Sequence, residues 1–467
     1  MALFKNNQFV TCCLTVFYFI FIAPIRKGYL KLSNYMDIET SSKNEMNRRK
    51  FIEKASVLSA FMIIPRFVLG GKGYTAPSDL ITLGFIGTGK QAFGLKKSFL
   101  DTNEIKLVAA ADVYGIKVKQ FATEVNDYYA KQAGQSQYAG VTTYADFRDL
   151  LSRKDIDAVV IAVPDHWHSI CAILAARTGK DIYCEKPLSL TISEGRAMVT
   201  EARKHKRVFQ TGSMQRSWPE FRQAVELVRN GYIGEIQTVK VNVGPPPVPY
   251  NLQAETMPDS LNWDFWLGPN TQQNYHHFLA PSLTDDFWAK WRDYREFGGG
   301  GMTDWGAHMF DIAQWGLDMD ASGPISITPP DKDHPFLTYQ YANGVTMTHE
   351  PNGNQGVTFI GSAGSIHVVR GKLETAPGAL KDKPIGPNEK HVYFSDNHYK
   401  DFLQAMRTRK KPVADVEIGH RTATVCNIGN ITYQLNRPLK WNPHTEMFDD
   451  EEANKLRARE MRKEWVV

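Results

Sequence analysis

The chain has 467 residues, 42% apolar and 22% charged, which suits a globular protein of two ordinary domains and excludes intrinsic disorder. A formal net charge of +5, with no long basic stretch carrying interleaved aromatics, argues against a nucleic-acid partner. Five cysteines, Cys12, Cys13, Cys171, Cys184 and Cys426, give neither a disulfide framework nor metal-ligand spacing, so no metal is expected.

In chain order, residues 10–23 form an apolar run too short for a comfortable membrane span. A second signal begins at Met46, MNRRKFIEKASVLSAFMIIP: Arg48 and Arg49, then Phe51, then an apolar stretch from Ala55 to Pro65. This is the pattern of a twin-arginine export signal. Residues 1–77 are therefore expected to be an N-terminal extension with the true start at Met46, and the protein to be periplasmic or otherwise exported. A membrane tether or a cytoplasmic location is the alternative.

From Asp79 the texture changes. LITLGFIGTG, IKLVAAAD and IDAVVIAV read as buried strands, with KQAFGLKKSFLD helical between the first two. The loop PDHWHS, the helix CAILAARTGK, the strand DIYCEKP, the helix TISEGRAMVTEARKHK and the strand VFQTGS follow. Strands alternating with helices predict an α/β doubly wound parallel sheet over residues 78–213. Beyond it, FRQAVELVRNGYIG reads as a helix and IQTVKVNV as an alternating strand. PISITPP, FLTYQYANGVTMTHE, GVTFIGSAGSIHVVRG and KHVYFS read as antiparallel strands. The helices YKDFLQAMRTR and GHRTATVCNIGNITYQL close a second domain over residues 214–445. A polar tail, from about Lys440 and assigned over 446–467, is expected to wrap the surface.

Gly87, Gly89 and Ala92 fit the spacing G-x-G-x-x-A between a strand and a helix. The first glycine permits a tight turn, the second lets backbone approach a pyrophosphate, and the small third residue lets helix and strand pack closely. Asp112, at the end of the second strand, is placed to bind the adenosine ribose hydroxyls. A carboxylate there repels a 2′-phosphate, so NAD is expected over NADP, with Lys117 or Lys119 able to soften the preference. The candidate cofactor set is Gly87, Thr88, Gly89, Lys90, Gln91, Ala92 and Asp112, then Pro164, His166, His168, Glu185, Lys186 and Gln215 near later strand ends.

Lys186 ends a strand, where open parallel sheets bind ligands. Downstream, FGGGGMTDWGAHMF sets Asp304 and His308 four apart, on one face of a helix. Gly298 to Gly301 are expected to form a close-approach loop that admits substrate. The candidate catalytic residues are Lys186, Asp304 and His308: the histidine as base, the lysine polarising the reacting oxygen, and the aspartate either tuning the histidine or binding a neighbouring hydroxyl. Arg216, Trp291, Arg292 and Tyr294 are candidate sugar contacts beside Asp304 and His308, and Trp263, Trp266 and Trp288 are further candidate stacking surfaces.

GFIGTG, AAD, AVPDHWH, CEKPLS and GGGMTDWGAHMFD, in this order over about residues 78–445, resemble the Gfo/Idh/MocA oxidoreductases. NWDFWLGP and RPLKWNPHTEMF are similar to the exported sugar-acting branch of that family. The resemblance implies a Rossmann domain followed by an α+β domain with a large, mostly antiparallel open sheet. That sheet commonly forms the oligomer interface, so a homo-oligomer, dimer or tetramer, is expected. It also implies a tightly bound NAD(P) and a sugar, cyclitol or glycoside substrate. The family's motif lysine, aspartate and histidine fall on Lys186, Asp304 and His308, and the histidine after its third strand on His168.

Three functions are weighed. One is an NAD-dependent oxidoreductase acting on a ring carbon of a sugar or glycoside, such as C3. Another is a glycosidase that uses NAD in a cycle of oxidation, elimination, hydration and reduction. The third is a non-catalytic NAD- and sugar-binding sensor, against which the intact Lys186, Asp304 and His308 argue.

Overall fold

The computed structural model describes residues 79–351 and 355–467; the expected export signal lies outside them. Strand β1 (Ile81–Ile86) is followed by α1 (Lys90–Leu100), β2 (Ile105–Ala111), α2 (Gly115–Gln132), β3 (Thr142–Tyr144) and α3 (Phe147–Ser152). Then come β4 (Ala158–Ile161), α4 (Asp165–Arg177), β5 (Asp181–Cys184), α5 (Ile192–Lys204) and β6 (Phe209–Thr211). These six strands form one parallel sheet in the order β3-β2-β1-β4-β5-β6. Strand β4 reads AVVI and is buried throughout, because helices cover both faces of the sheet. One core, with Ile161, Ile170 and Phe209, lies on one face; Leu83, Phe99 and Phe121 fill the other. The order reverses at β1, so the connections leaving β1 and β4 diverge and open a crevice at the strands' carboxyl ends.

The expected loop PDHWHS is different in the structure: α4 begins at Asp165, directly after Pro164, so Asp165, His166 and His168 ride on its first turn. Proline at the cap position fixes φ ahead of a helix, and a sequence reading takes the same residue as a breaker. In α5, Thr191 and Glu194 form a reciprocal capping box, which starts the helix where TISE predicts it.

The second half opens with α6 (Pro219–Arg229) and β7 (Ile236–Asn242), then α7 (Trp263–Leu267), α8 (Gly301–Asp304) and α9 (Gly306–Gly316). Strands β8 (Ser326–Thr328), β9 (Leu337–Gln340), β10 (Thr346–His349), β11 (Gly356–Gly361), β12 (Gly364–Val369) and β13 (Lys372–Ala376) follow. After them come α10 (His398–Thr408), α11 (Val416–Leu435), β14 (Leu439–Asn442), β15 (Met447–Phe448) and α12 (Glu451–Lys455). Nine strands pair in the order β13-β12-β11-β7-β10-β9-β8-β14-β15. All neighbours are antiparallel except β7 and β10. Val239, Val241, Tyr339, Met347 and Phe359 line one face and pack on Phe221, Phe310 and Ile428 of α6, α9 and α11.

Two further expectations are corrected here. KHVYFS forms no strand, whereas Lys372–Ala376 does. The tail from Lys440 does not simply wrap the surface: it supplies β15 at the sheet edge, and Trp465 packs against Trp167 and Phe265.

Candidate active site

A cavity of about 870 Å³ opens at the carboxyl ends of β1, β2, β4 and β5 and runs to the start of α9. At one end lies the turn after β1. Gly87 has φ +87, and a Cβ there would meet Ala162 O at 2.5 Å. A Cβ on Gly89 would meet nothing within 4 Å, because that position faces the open cavity. Ala92, in the first turn of α1, is fully buried, as close helix–sheet packing requires. Thr88 is buried as well, and both its N–H and its hydroxyl donate to Asp112 Oδ2, at 2.7 and 2.9 Å. The Tyr114 N–H donates to Asp112 Oδ1 at 2.9 Å. Asp112 is thus held rigidly at the cavity wall. Lys117 stands beside it over the Tyr114 ring; burial lowers its pKa, against the charges of Asp112 and Asp285. Lys90 and Gln91 also line this end, and so does Pro164; Lys119 is exposed and does not.

At the other end Lys186 Nζ donates to Asp304 Oδ1 at 2.7 Å and to Asp304 O at 3.0 Å. Arg292 Nε lies 3.4 Å from the same Oδ1. Burial pushes the Asp304 carboxyl up, but the charges of Lys186 and Arg292 outweigh it and hold the pKa down to about 2. The helix expected to carry Asp304 and His308 is broken at Trp305: α8 ends at Asp304 and α9 starts at Gly306, yet both side chains reach the cavity. Among the described residues no group bonds either ring nitrogen of His308, and its Nδ1 is enclosed without a partner. Burial, and then the charges of Lys186 and Arg370, push its pKa well below 6.5, so the ring is neutral. Asp165 Oδ1 and Glu185 Oε1 are likewise buried at the cavity wall without hydrogen-bond partners, and burial raises both carboxyls. Unsatisfied polar atoms clustered around one cavity are what a site awaiting a ligand presents.

The cavity therefore brings together Gly87, Gly89, Lys90, Gln91, Asp112, Pro164, His168, Glu185, Lys186, Trp291, Arg292, Asp304 and His308. Trp266 and Trp288 join them; Trp263 stays behind the wall, stacked on Trp266 at 4.6 Å. His168 faces Pro187 O and Val163 O at 2.8 and 3.0 Å and ties the lysine's strand end to the loop after β4.

Other expected contacts stand elsewhere. His166 is fully buried against Trp266 O at 3.0 Å. Arg216 is a fully buried ion-pair centre, 2.8 Å from Asp311 and 2.7 Å from Asp320, so its fork is not offered to a sugar. Tyr294 belongs to the aromatic cluster with Tyr114, Trp266 and Phe297 that supports the wall. Gln215 is buried off the cavity; with its amide set to satisfy both neighbours, it donates to His308 O at 3.3 Å and accepts from Arg370 Nε at 3.0 Å. Gly298 to Gly301 do not line the cavity. A Cβ on Gly300 would meet Pro247 N at 2.6 Å and one on Gly301 would meet Gly244 Cα at 2.5 Å, so the close approach is to the GPPP loop and not to substrate.

Asp165, Trp305 and Arg370 line the cavity without having been singled out from sequence. Asp165 sits inside the PDHWH motif and was legible there. Arg370 reaches the site only because the β12–β13 hairpin packs against α6, with the Gly371 N–H donating to Glu220, and no local pattern signals that.

Two sequence profiles of one oxidoreductase family match the chain: an NAD-binding Rossmann fold over residues 81–213 and a C-terminal alpha/beta domain over residues 248–467. The uncharacterized oxidoreductase YrbE of Bacillus subtilis (strain 168) is 25% identical over 395 residues, covering 78% of this chain and 98% of its own. A glycosyl hydrolase family 109 protein of Shewanella sp. (strain W3-18-1) is 28% identical over 210 residues, 41% of this chain; the match spans 45% of that relative's length. The fold is similar to that of an aldose-aldose oxidoreductase from Caulobacter crescentus, solved with glycerol, with a TM-score of 0.53 at 18% identity over 77% of this chain and 99% of that one.

Proposed function

This chain belongs to the Gfo/Idh/MocA oxidoreductase family and binds NAD through its Rossmann half, and on that premise we propose that it moves a hydride between the nicotinamide and a ring carbon of a sugar or glycoside, C3 first among the candidates. The reading rests above all on one observation: a neutral His308, a hydrogen-bonding Lys186 and an ionised Asp304 meet on the cavity that also holds the glycine turn.

The residues present fit the cofactor. The open space over Gly89, the excluded side chain at Gly87 and the rigid Asp112 suit the pyrophosphate and the ribose. When bound, nicotinamide accepts or returns the hydride. The protein supplies the rest. Oxidising a carbinol releases a proton, and His308, neutral and unbonded, takes it. Lys186 keeps one N–H beyond the two given to Asp304, and that N–H steadies the developing oxyanion. Asp304 Oδ2 has no partner among the described residues and accepts a neighbouring hydroxyl, while its charge fixes the lysine. Trp266 and Trp288 offer apolar faces to the C–H side of a ring.

A redox glycosidase is the second reading, favoured by the glycosyl hydrolase family 109 relatives. The twin-arginine pattern supports an exported enzyme, and the outward face of the nine-stranded sheet, with Thr238, Thr338, Thr346 and Thr348, is the proposed oligomer surface. Loading the protein with NAD and adding a panel of glycosides tests the choice. Net reduction of nicotinamide supports the dehydrogenase, and aglycone release without net reduction supports the glycosidase. Binding with neither outcome would refute both.

A further inference from the structure

Arg370 differs from the other arginine at the reactive end of the cavity. Arg292 has Asp304 at 3.4 Å, whereas Arg370 meets no carboxylate among the described residues. Its guanidinium lies over two indoles, 4.6 Å from the Trp305 ring and 5.3 Å from the Trp218 ring. Nε is fixed by the Gln215 amide oxygen at 3.0 Å, and that amide also holds His308 O. The two terminal nitrogens make no hydrogen bond among the described residues. An exposed planar cation held near two indoles and along one edge, with its side chain at the cavity wall, is placed to receive a planar anion. The local charge agrees. Lys186, Arg292 and Arg370 gather at this end of the cavity around Asp304, while burial raises the carboxyls of Asp165 and Glu185.

We propose that the sugar carries a carboxylate near the carbon that reacts, and that the fork of Arg370 receives it, so the substrate class is a uronic acid or its glycoside. The proposal rests on the oxidoreductase reading and narrows it. The Gln215 bridge between Arg370 and the backbone of His308 sets the carboxylate close to the base. A neutral sugar makes no ion pair with this exposed guanidinium, so the acid alone gains the charged contact.

The test is calorimetric titration of the NAD-loaded protein with methyl glucoside and methyl glucuronide, with the absorbance of bound nicotinamide recorded on the same samples. The acid is expected to bind about tenfold tighter or more. That ratio is expected to fall toward unity in Arg370→Met and to persist in part in Arg370→Lys, which also serves if the methionine variant does not fold. A ratio at or below unity in the unsubstituted protein would overturn the proposal. So would a ratio unchanged in both variants, or tighter binding of glucose 6-phosphate than of the glucuronide. The two readings separate cleanly. Tight, Arg370-dependent binding of the acid without nicotinamide reduction removes the hydride-transfer reading and leaves the receptor standing. Reduction by neutral sugars with no acid preference does the reverse.

Discussion

His308 owes its neutrality to position. Its ring is buried, and the nearby cations Lys186 and Arg370 add to the cost of protonation. A lowered pKa keeps the base form present as pH falls through 6.5, so the acid limb of kcat/KM is expected below that value. Lys186→Met removes the second cause and leaves burial, so the limb should move up while staying below 6.5, and kcat should drop. His308→Ala should lower kcat by about 10²- to 10⁴-fold. A pH–rate profile of the three proteins checks all of this; an acid limb above 6.5 in the unsubstituted enzyme contradicts it. At this scale the sequence was informative where a motif fixes both residue and address, as for Lys186, Asp304 and His308. It misled at Arg216 and was silent at Arg370. One is enclosed by Asp311 and Asp320 and the other delivered by a distant hairpin, and neither partner set is local in sequence.

The turn after β1 carries a sharper contrast between elements. Gly87 combines a positive φ with a blocked Cβ, so Gly87→Ala should lose stability and cofactor together. Gly89 faces open space, so Gly89→Ala should keep the melting temperature within a few degrees and still weaken NAD binding by about tenfold or more. Thermal melts paired with NAD titrations separate the two; equal effects in both variants would refute the placement of the pyrophosphate. The glycine run before α8 follows the other logic. It lets two backbones touch, so Gly301→Ala should cost about 1–3 kcal/mol of stability in urea unfolding. The composition of that run was plain in the sequence, but its partner, Gly244 in the proline loop, belongs to a long-range contact that no periodicity reveals. Strands β1, β2, β4, β5 and β6 and helices α1, α4 and α5 of the Rossmann half were legible from apolar runs, helical spacing and glycine or proline punctuation, whereas α2 and α3 were not read. The short edge strands β3 and β13 were not, because exposed edges lack an apolar signature.

Across the whole molecule the tail braces the site. Arg459 donates to Glu194 and to His166 O, both at 2.7 Å, and also meets Asn270. Trp465 packs on Trp167 and Phe265, which line the cavity. Ending the chain at Leu456 removes a buried aromatic and leaves Glu194 without its arginine, so a loss of about 3 kcal/mol or more is expected, with faster release of NAD. Unfolding curves and cofactor-release rates check it; unchanged release would make the tail a surface wrapping after all. The central claim, hydride transfer with a ring carbon using His308 as base, has one direct test. Sugars or glycosides deuterated at single ring carbons are incubated with the NAD-loaded protein, and the recovered nicotinamide is examined by mass spectrometry. Label is expected from one ring position, and almost none from the His308→Ala variant. Bound sugar with no label from any ring position would contradict it.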